Sequence, residues 1–143
     1  MAKVVAVCVS EKKGVQKHPV EEIEIKIDHG IVGDAHSGDW HRQISLLGTE
    51  SVEKVQSAID FSLEPGAFAE NILTEGIELF TLPVGTLLDI GETLCEVTQI
   101  GKECHHGCAI RQLAGDCVMP REGIFVKVLK EGKIKPGDEI RVK

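Results

Sequence analysis

Leu82-Pro83-Val84-Gly85-Thr86-Leu87-Leu88-Asp89-Ile90-Gly91-Glu92-Thr93-Leu94-Cys95-Glu96-Val97-Thr98-Gln99-Ile100 sets two turns against two extended runs. Pro83 with Gly85, and then Gly91, punctuate the chain, and Thr86–Ile90 and Thr93–Ile100 carry the β-branched and apolar residues of strands. The same grammar recurs downstream. Gly123 to Leu129 is another β run, and Lys135-Pro136-Gly137-Asp138 turns into a last strand over Glu139 to Val142. Upstream, Lys3 to Val9 is Val-rich, and Val20 to Ile27 alternates, with Ile23, Ile25 and Ile27 separated by Glu24 and Lys26. Period two is the mark of a half-buried strand. Strands at short spacing with Gly-rich turns predict a mainly β fold, a barrel or sandwich, in a single domain spanning 1–143.

Gln43 to Leu47 predicts one more strand. Thr49 is then placed to cap a helix over Glu50 to about Asp60, with Val52, Val55 and Ile59 on one face. Ala67 to Leu73 fits strand and helix equally, and Cys108 to Leu113 is read as a second, short helix. No long alternation of strands and helices is present, which argues against a doubly wound parallel sheet.

Composition narrows the function. The chain has 143 residues and a net charge of −7, from 16 Lys and Arg against 23 Asp and Glu. A nucleic-acid binder carries a basic stripe that neutralises phosphates, and none is visible here. With one Trp, four Phe and no Tyr, stacking platforms for single strands are also scarce. No apolar run approaches the roughly 20 residues that span a bilayer. Ala2–Val9 is too short for a secretory core, so a reducing, cytoplasmic setting is expected. The five cysteines, an odd number, then point to thiol or metal chemistry rather than a disulfide framework.

Those thiols are not equivalent. Cys8 and Cys95 sit in apolar strands and read as small core hydrophobes. Gly101-Lys102-Glu103-Cys104-His105-His106-Gly107-Cys108-Ala109-Ile110-Arg111 instead crowds two thiols and two imidazoles into a polar stretch, with Cys117 further on. Zinc takes such ligands, and a site would recruit Cys104 and Cys108 with Cys117, His36 or His41. The C-x3-C spacing has no matching second pair, so a zinc-stabilised domain is the less favoured reading. A thiolate whose pKa is lowered by Lys102, Arg111 and Arg121, or by a helix starting near Cys108, is the alternative. The residue types leave metal and nucleophile both open.

Four stretches, taken in order, resemble one known family. They are Gly30-Ile31-Val32-Gly33-Asp34-Ala35-His36; Gly66-Ala67-Phe68-Ala69-Glu70-Asn71-Ile72-Leu73-Thr74-Glu75-Gly76; Cys95 to Cys104; and Gly115 to Leu129. Together they are similar to the MOSC domain, the module named after the C-terminal part of molybdenum cofactor sulfurases. The resemblance covers about Val5 to Val142 and implies a β-barrel. It also implies a role with sulfur or molybdenum: a cysteine carrying sulfur as a persulfide, or ligating molybdenum. Cys104 matches that cysteine, although the Pro-Arg-x-Pro of longer relatives is replaced by Ile100-Gly101-Lys102-Glu103. Cys117 is the second thiol, and Cys108 a further metal-ligand candidate.

An anionic pterin such as molybdopterin needs cations or N–H donors. Arg121, Arg111 and Lys102, with Gly33, Asp34, His36, Glu70 and Asn71 matched to family motifs, are the candidates for holding it. Each has a plainer role available: turn geometry for the Gly and Asp residues, solvation for His36 and His41, surface charge for Arg121, and loop satisfaction for Asn71. The family also implies partners, a cysteine desulfurase or a molybdoenzyme. Pyridoxal phosphate belongs to the sulfurases' other domain, and no lysine here stands in a motif that would hold it. A non-catalytic binding module is the remaining alternative.

Overall fold

A computed structural model describes residues 2–12, 16–35, 37–57, 63–101 and 122–143. Eleven strands are described: β1 (Lys3–Val9), β2 (His18–Val20), β3 (Ile23–Lys26), β4 (Gly30–Ile31), β5 (Ile44–Gly48), β6 (Ile72–Glu75), β7 (Leu87–Ile90), β8 (Thr93–Ile100), β9 (Ile124–Lys130), β10 (Gly132–Ile134) and β11 (Ile140–Val142). One helix, α1 (Thr49–Gln56), and a 3-10 turn over Leu79–Thr81 accompany them.

Eight strands form one sheet in the order β11-β7-β8-β9-β5-β6-β1-β2, and β10-β3-β4 form a second. Every pairing is antiparallel except β5 with β6, which run parallel across the crossover that contains α1. A parallel neighbour needs such a crossover, because a hairpin returns the chain the other way.

The mainly β reading holds, and its closure into a barrel does not: among the described residues no sheet is closed. The large sheet curls until Ala2–Val4 meets residues 137–140. Val4 N–H donates to the Asp138 carbonyl at 2.8 Å, and Ile140 N–H donates to Ala2 at 3.0 Å. That contact is one isolated bridge, Lys3 with Glu139. The Pro136-Gly137 turn and a β11 of three residues end the pairing before a ladder can form.

Two faces of the large sheet are buried. On one, Val7, Ile44, Leu46, Ile72, Val97 and Ile124 meet Ile23, Ile25, Ile31 and Ile134 of the small sheet. Isoleucines and valines dominate because β-branched side chains fit a pleated surface, and burying each fully contributes about 1.5–3 kcal/mol. On the other face, Leu47 and Phe125 lie under Val55 and Phe68, with Val52 packed alongside.

Several local expectations change. Val20 to Ile27 is not one strand: β2 joins the large sheet and β3 the small one, and Ile27 ends up exposed. Alternation reports burial on one side, not which sheet supplies it. Thr49 is the first helical residue rather than the cap. Gly48 occupies the cap position with extended backbone and no side-chain cap bond, since the chain passes directly from β5 into the helix. The described helix ends at Gln56, and Ile59 lies outside the described residues. Ala67 to Leu73 resolves into turns followed by β6. The expected helix over Cys108 to Leu113 also lies outside the described residues.

Candidate functional site

The thiol-bearing segment is inserted between β8 and β9. Residues 102–121, which include Lys102, Cys104, Cys108, Arg111, Cys117 and Arg121, lie outside the described residues, as does His36. Their points of departure and return are well defined. Ile100 pairs with Ile124, and Gly101 N–H donates to the Gly123 carbonyl at 2.6 Å. The insertion therefore leaves and re-enters the sheet at a single place.

Beside that place, Glu122 holds α1. Its carboxylate accepts from the Ser51 hydroxyl at 2.6 Å and from the Lys54 ammonium at 2.9 and 3.0 Å. Ser51 and Lys54 are one helical turn apart and so share a face. A cleft of about 280 Å³ opens here, lined by Glu50, Ser51, Lys54, Leu79, Phe80 and Glu122 among others. Glu50 closes its far wall by accepting from Gly76 N–H at 2.8 Å.

The other side of the insertion point is tied by amides and rings. Gln99 Oε1 accepts from His41 Nε2 at 2.9 Å, and Gln99 Nε2 donates to the Gly101 carbonyl at 2.7 Å. Thr98 donates its hydroxyl to the His41 carbonyl. His41, expected as a solvated loop residue, is thus bound to the end of β8. Next to it, the Arg42 guanidinium lies over the Trp40 ring at 4.9 Å and the Phe125 ring at 5.6 Å.

The described family-motif residues form a different cluster. Gly33 sits in an exposed turn with φ of 88°, a conformation that glycine adopts without strain. Asp34 is buried and accepts from the Lys17 ammonium at 2.7 Å and from Ser10 N–H at 3.1 Å. Both side chains of this ion pair are 0% exposed. Lys17 also donates to the Ser10 hydroxyl at 3.1 Å. Its backbone N–H reaches the Gly66 carbonyl at 2.9 Å, and Gly66 N–H in turn reaches the Glu70 carboxylate at 2.7 Å. Glu70 accepts a second bond from Phe68 N–H at 3.0 Å. Burial raises the Glu70 pKa, against the pull of those N–H donors and Lys17. Asn71 accepts from both Ser45 N–H and the Ser45 hydroxyl and donates to the Cys8 carbonyl at 3.1 Å.

Lys17 is the link that joins the Gly33-Asp34 and Glu70-Asn71 elements, and the sequence reading passed over it. A single lysine in a stretch read as loop carries no sign that its side chain is buried. Ser51, Lys54 and Glu122 were missed for a related reason: they meet only across α1 and the start of β9.

Cys8 and Cys95 are both fully buried, as their apolar settings predicted. Desolvation pushes each thiol up to about 12. Neither is a nucleophile at neutral pH. Among the described residues no group of three or more His, Cys, Asp or Glu is placed to hold a metal ion. No helix among them is long and apolar enough to cross a membrane.

The MOSC domain model matches residues 33–141. The chain belongs to the MOSC domain family. The same fold appears in the YuaD protein from Bacillus subtilis, with a TM-score of 0.79 at 17% identity over 98% of this chain and 94% of that one. YiiM from Geobacillus stearothermophilus gives 0.73 at 18% identity, covering 100% of this chain and 75% of that one. YiiM from Escherichia coli gives 0.70 at 19% identity, covering 100% and 70%. At these identities the likeness is one of fold. No curated protein matches the chain.

Proposed function

We propose that this MOSC protein carries sulfur as a persulfide on Cys104, with Cys117 as the second thiol, for delivery to a maturing molybdenum or other metal–sulfur centre. The observation that carries the reading is the contrast between its cysteines. The two in strands are buried and raised out of the reactive range. The remaining three fall by sequence in the segment 102–121, whose flanking glycines Gly101 and Gly123 are joined by a backbone hydrogen bond at 2.6 Å.

The chemistry needs no external oxidant. A Cys104 thiolate attacks the terminal sulfur of a donor persulfide, such as that on a cysteine desulfurase. A new S–S bond forms at Cys104, the donor's S–S bond breaks, and the donor leaves as a thiolate. Transfer onward is the same exchange to an acceptor.

Holding the pterin cofactor through the described motif residues is less well supported. Asp34 and Glu70 are buried carboxylates, which repel an anionic phosphate, and they are bonded to Lys17, Ser10, Gly66 and Phe68. The Asn71 amide is engaged by Ser45 and Cys8. These residues do not fit the group, and we favour covalent carriage.

The test is intact-mass measurement after incubation with a cysteine desulfurase and cysteine. Wild type gains one sulfur atom, which dithiothreitol removes, and Cys104→Ala gains none. No gain on wild type, or an equal gain on Cys104→Ala, sinks the proposal.

A further inference from the structure

The chain carries an excess of carboxylates, yet Arg42 makes no ion pair among the described residues. The other described arginine, Arg141, sits on Glu139 at 2.7 Å. Arg42 is also partly withdrawn from solvent, and its Nε is buried without a hydrogen-bond partner. A buried guanidinium donor without an acceptor is costly, and native structures rarely keep one without a use.

The surroundings say what that use is. Trp40 and Phe125 both take the guanidinium on their rings. Ring contacts of this kind engage the face of the guanidinium, while all five N–H donors point outward in its plane. With Nε buried, the two Nη groups form the edge left for a fork of acceptors, the geometry that phosphate, sulfate or a related oxyanion presents. His41, adjacent in sequence and held by Gln99, packs edge-on against Trp40 at 5.9 Å and so fixes one side of the clamp. Phe125 is the second residue of β9 and two positions after Gly123, so the site borders the place where the chain rejoins the sheet.

We infer that Arg42, clamped by Trp40 and Phe125, is a binding site for a tetrahedral oxyanion, either free or as the phosphate end of a larger molecule. The inference does not depend on persulfide formation at Cys104.

Trp40 is the chain's one tryptophan, and there is no tyrosine, so intrinsic fluorescence reports this site alone. The probes are sodium phosphate, sodium sulfate and glycerol phosphate, each titrated against sodium chloride at matched ionic strength. A saturable change in emission is expected with the oxyanions and not with chloride. Arg42→Gln abolishes it, and Arg42→Lys weakens it by about tenfold, because an ammonium keeps the charge but loses the fork. Tighter binding of glycerol phosphate than of phosphate identifies the phosphate end of a larger ligand, and the reverse order identifies a free oxyanion; either supports the site.

Equal responses to chloride and oxyanions on wild type overturn the inference, whether or not the variants fold. So does an unchanged titration in a folded Arg42→Gln variant. Because mass gain on Cys104 is measured separately, loss of either result leaves the other standing.

Discussion

Replacing Cys104, Cys108 and Cys117 together with Ala leaves Cys8 and Cys95 as the remaining thiols, and their reactivity can be worked out in advance. A thiol pushed up to about 12 holds about one thiolate in 100,000 at pH 7. An unperturbed thiol near pKa 8.5 holds about three in 100, so the native-state route is slowed by about 3,000-fold before access is considered. Both side chains are also 0% exposed, which bars a bulky reagent from the folded protein. The other route is opening. If opening costs about 5 kcal/mol, the low end for a domain, it is suppressed by about 5,000-fold. The variant should therefore react with an aromatic disulfide reagent at least about a thousandfold more slowly than a free thiol, and both thiols should titrate at once in denaturant. Wild type should show up to three fast thiols. If the triple variant labels within about tenfold of a free thiol, the raised pKa values and the burial are both wrong, and sulfur chemistry is no longer confined to the insertion.

Lys17→Met removes one partner of a fully buried ion pair and strands Asp34, so urea unfolding should show a loss of about 3–5 kcal/mol; a loss under about 1 kcal/mol would mean that Asp34 finds water or another cation. Glu70 has a folded pKa raised by burial, so the folded state binds more protons than the unfolded state above the ordinary carboxylate value near 4.3. Stability should fall as pH rises from there to the raised value and then level off, and Glu70→Gln should flatten that slope; a steeper slope in the variant would contradict the sign. Gly66→Ala would place a methyl 2.1 Å from the Lys17 carbonyl oxygen at a φ of 91°, and should cost about 2–4 kcal/mol in thermal or urea unfolding, whereas Gly85→Ala, which meets nothing within 4 Å, should cost about 1 kcal/mol.

Local pattern carried the strands whose burial follows their own alternation or apolar run. β1 and β8 fall where the residues placed them, Lys3–Val9 and Thr93–Ile100, and the predicted core cysteines lie in them. Those features depend on nearest neighbours along the chain, and a single sequence shows them. The family likewise was legible, since four ordered motifs survive in the residues themselves. The split of Val20 to Ile27 between two sheets, the single parallel pair across α1, and the sheet that curls without closing all depend on partners far away in the chain. The clusters around the thiol insertion are of the same kind. Ser51 and Glu122 are separated by 71 positions and His41 and Gln99 by 58, and Lys17 looks like any loop lysine until Asp34 is folded against it. What residue types alone determined was a β-rich chain with three of its five cysteines in one polar segment. Only the tertiary structure decided which side chains surround the ends of that segment, because charge pairing, desolvation and ring contacts arise from distances in space and leave no periodicity to read.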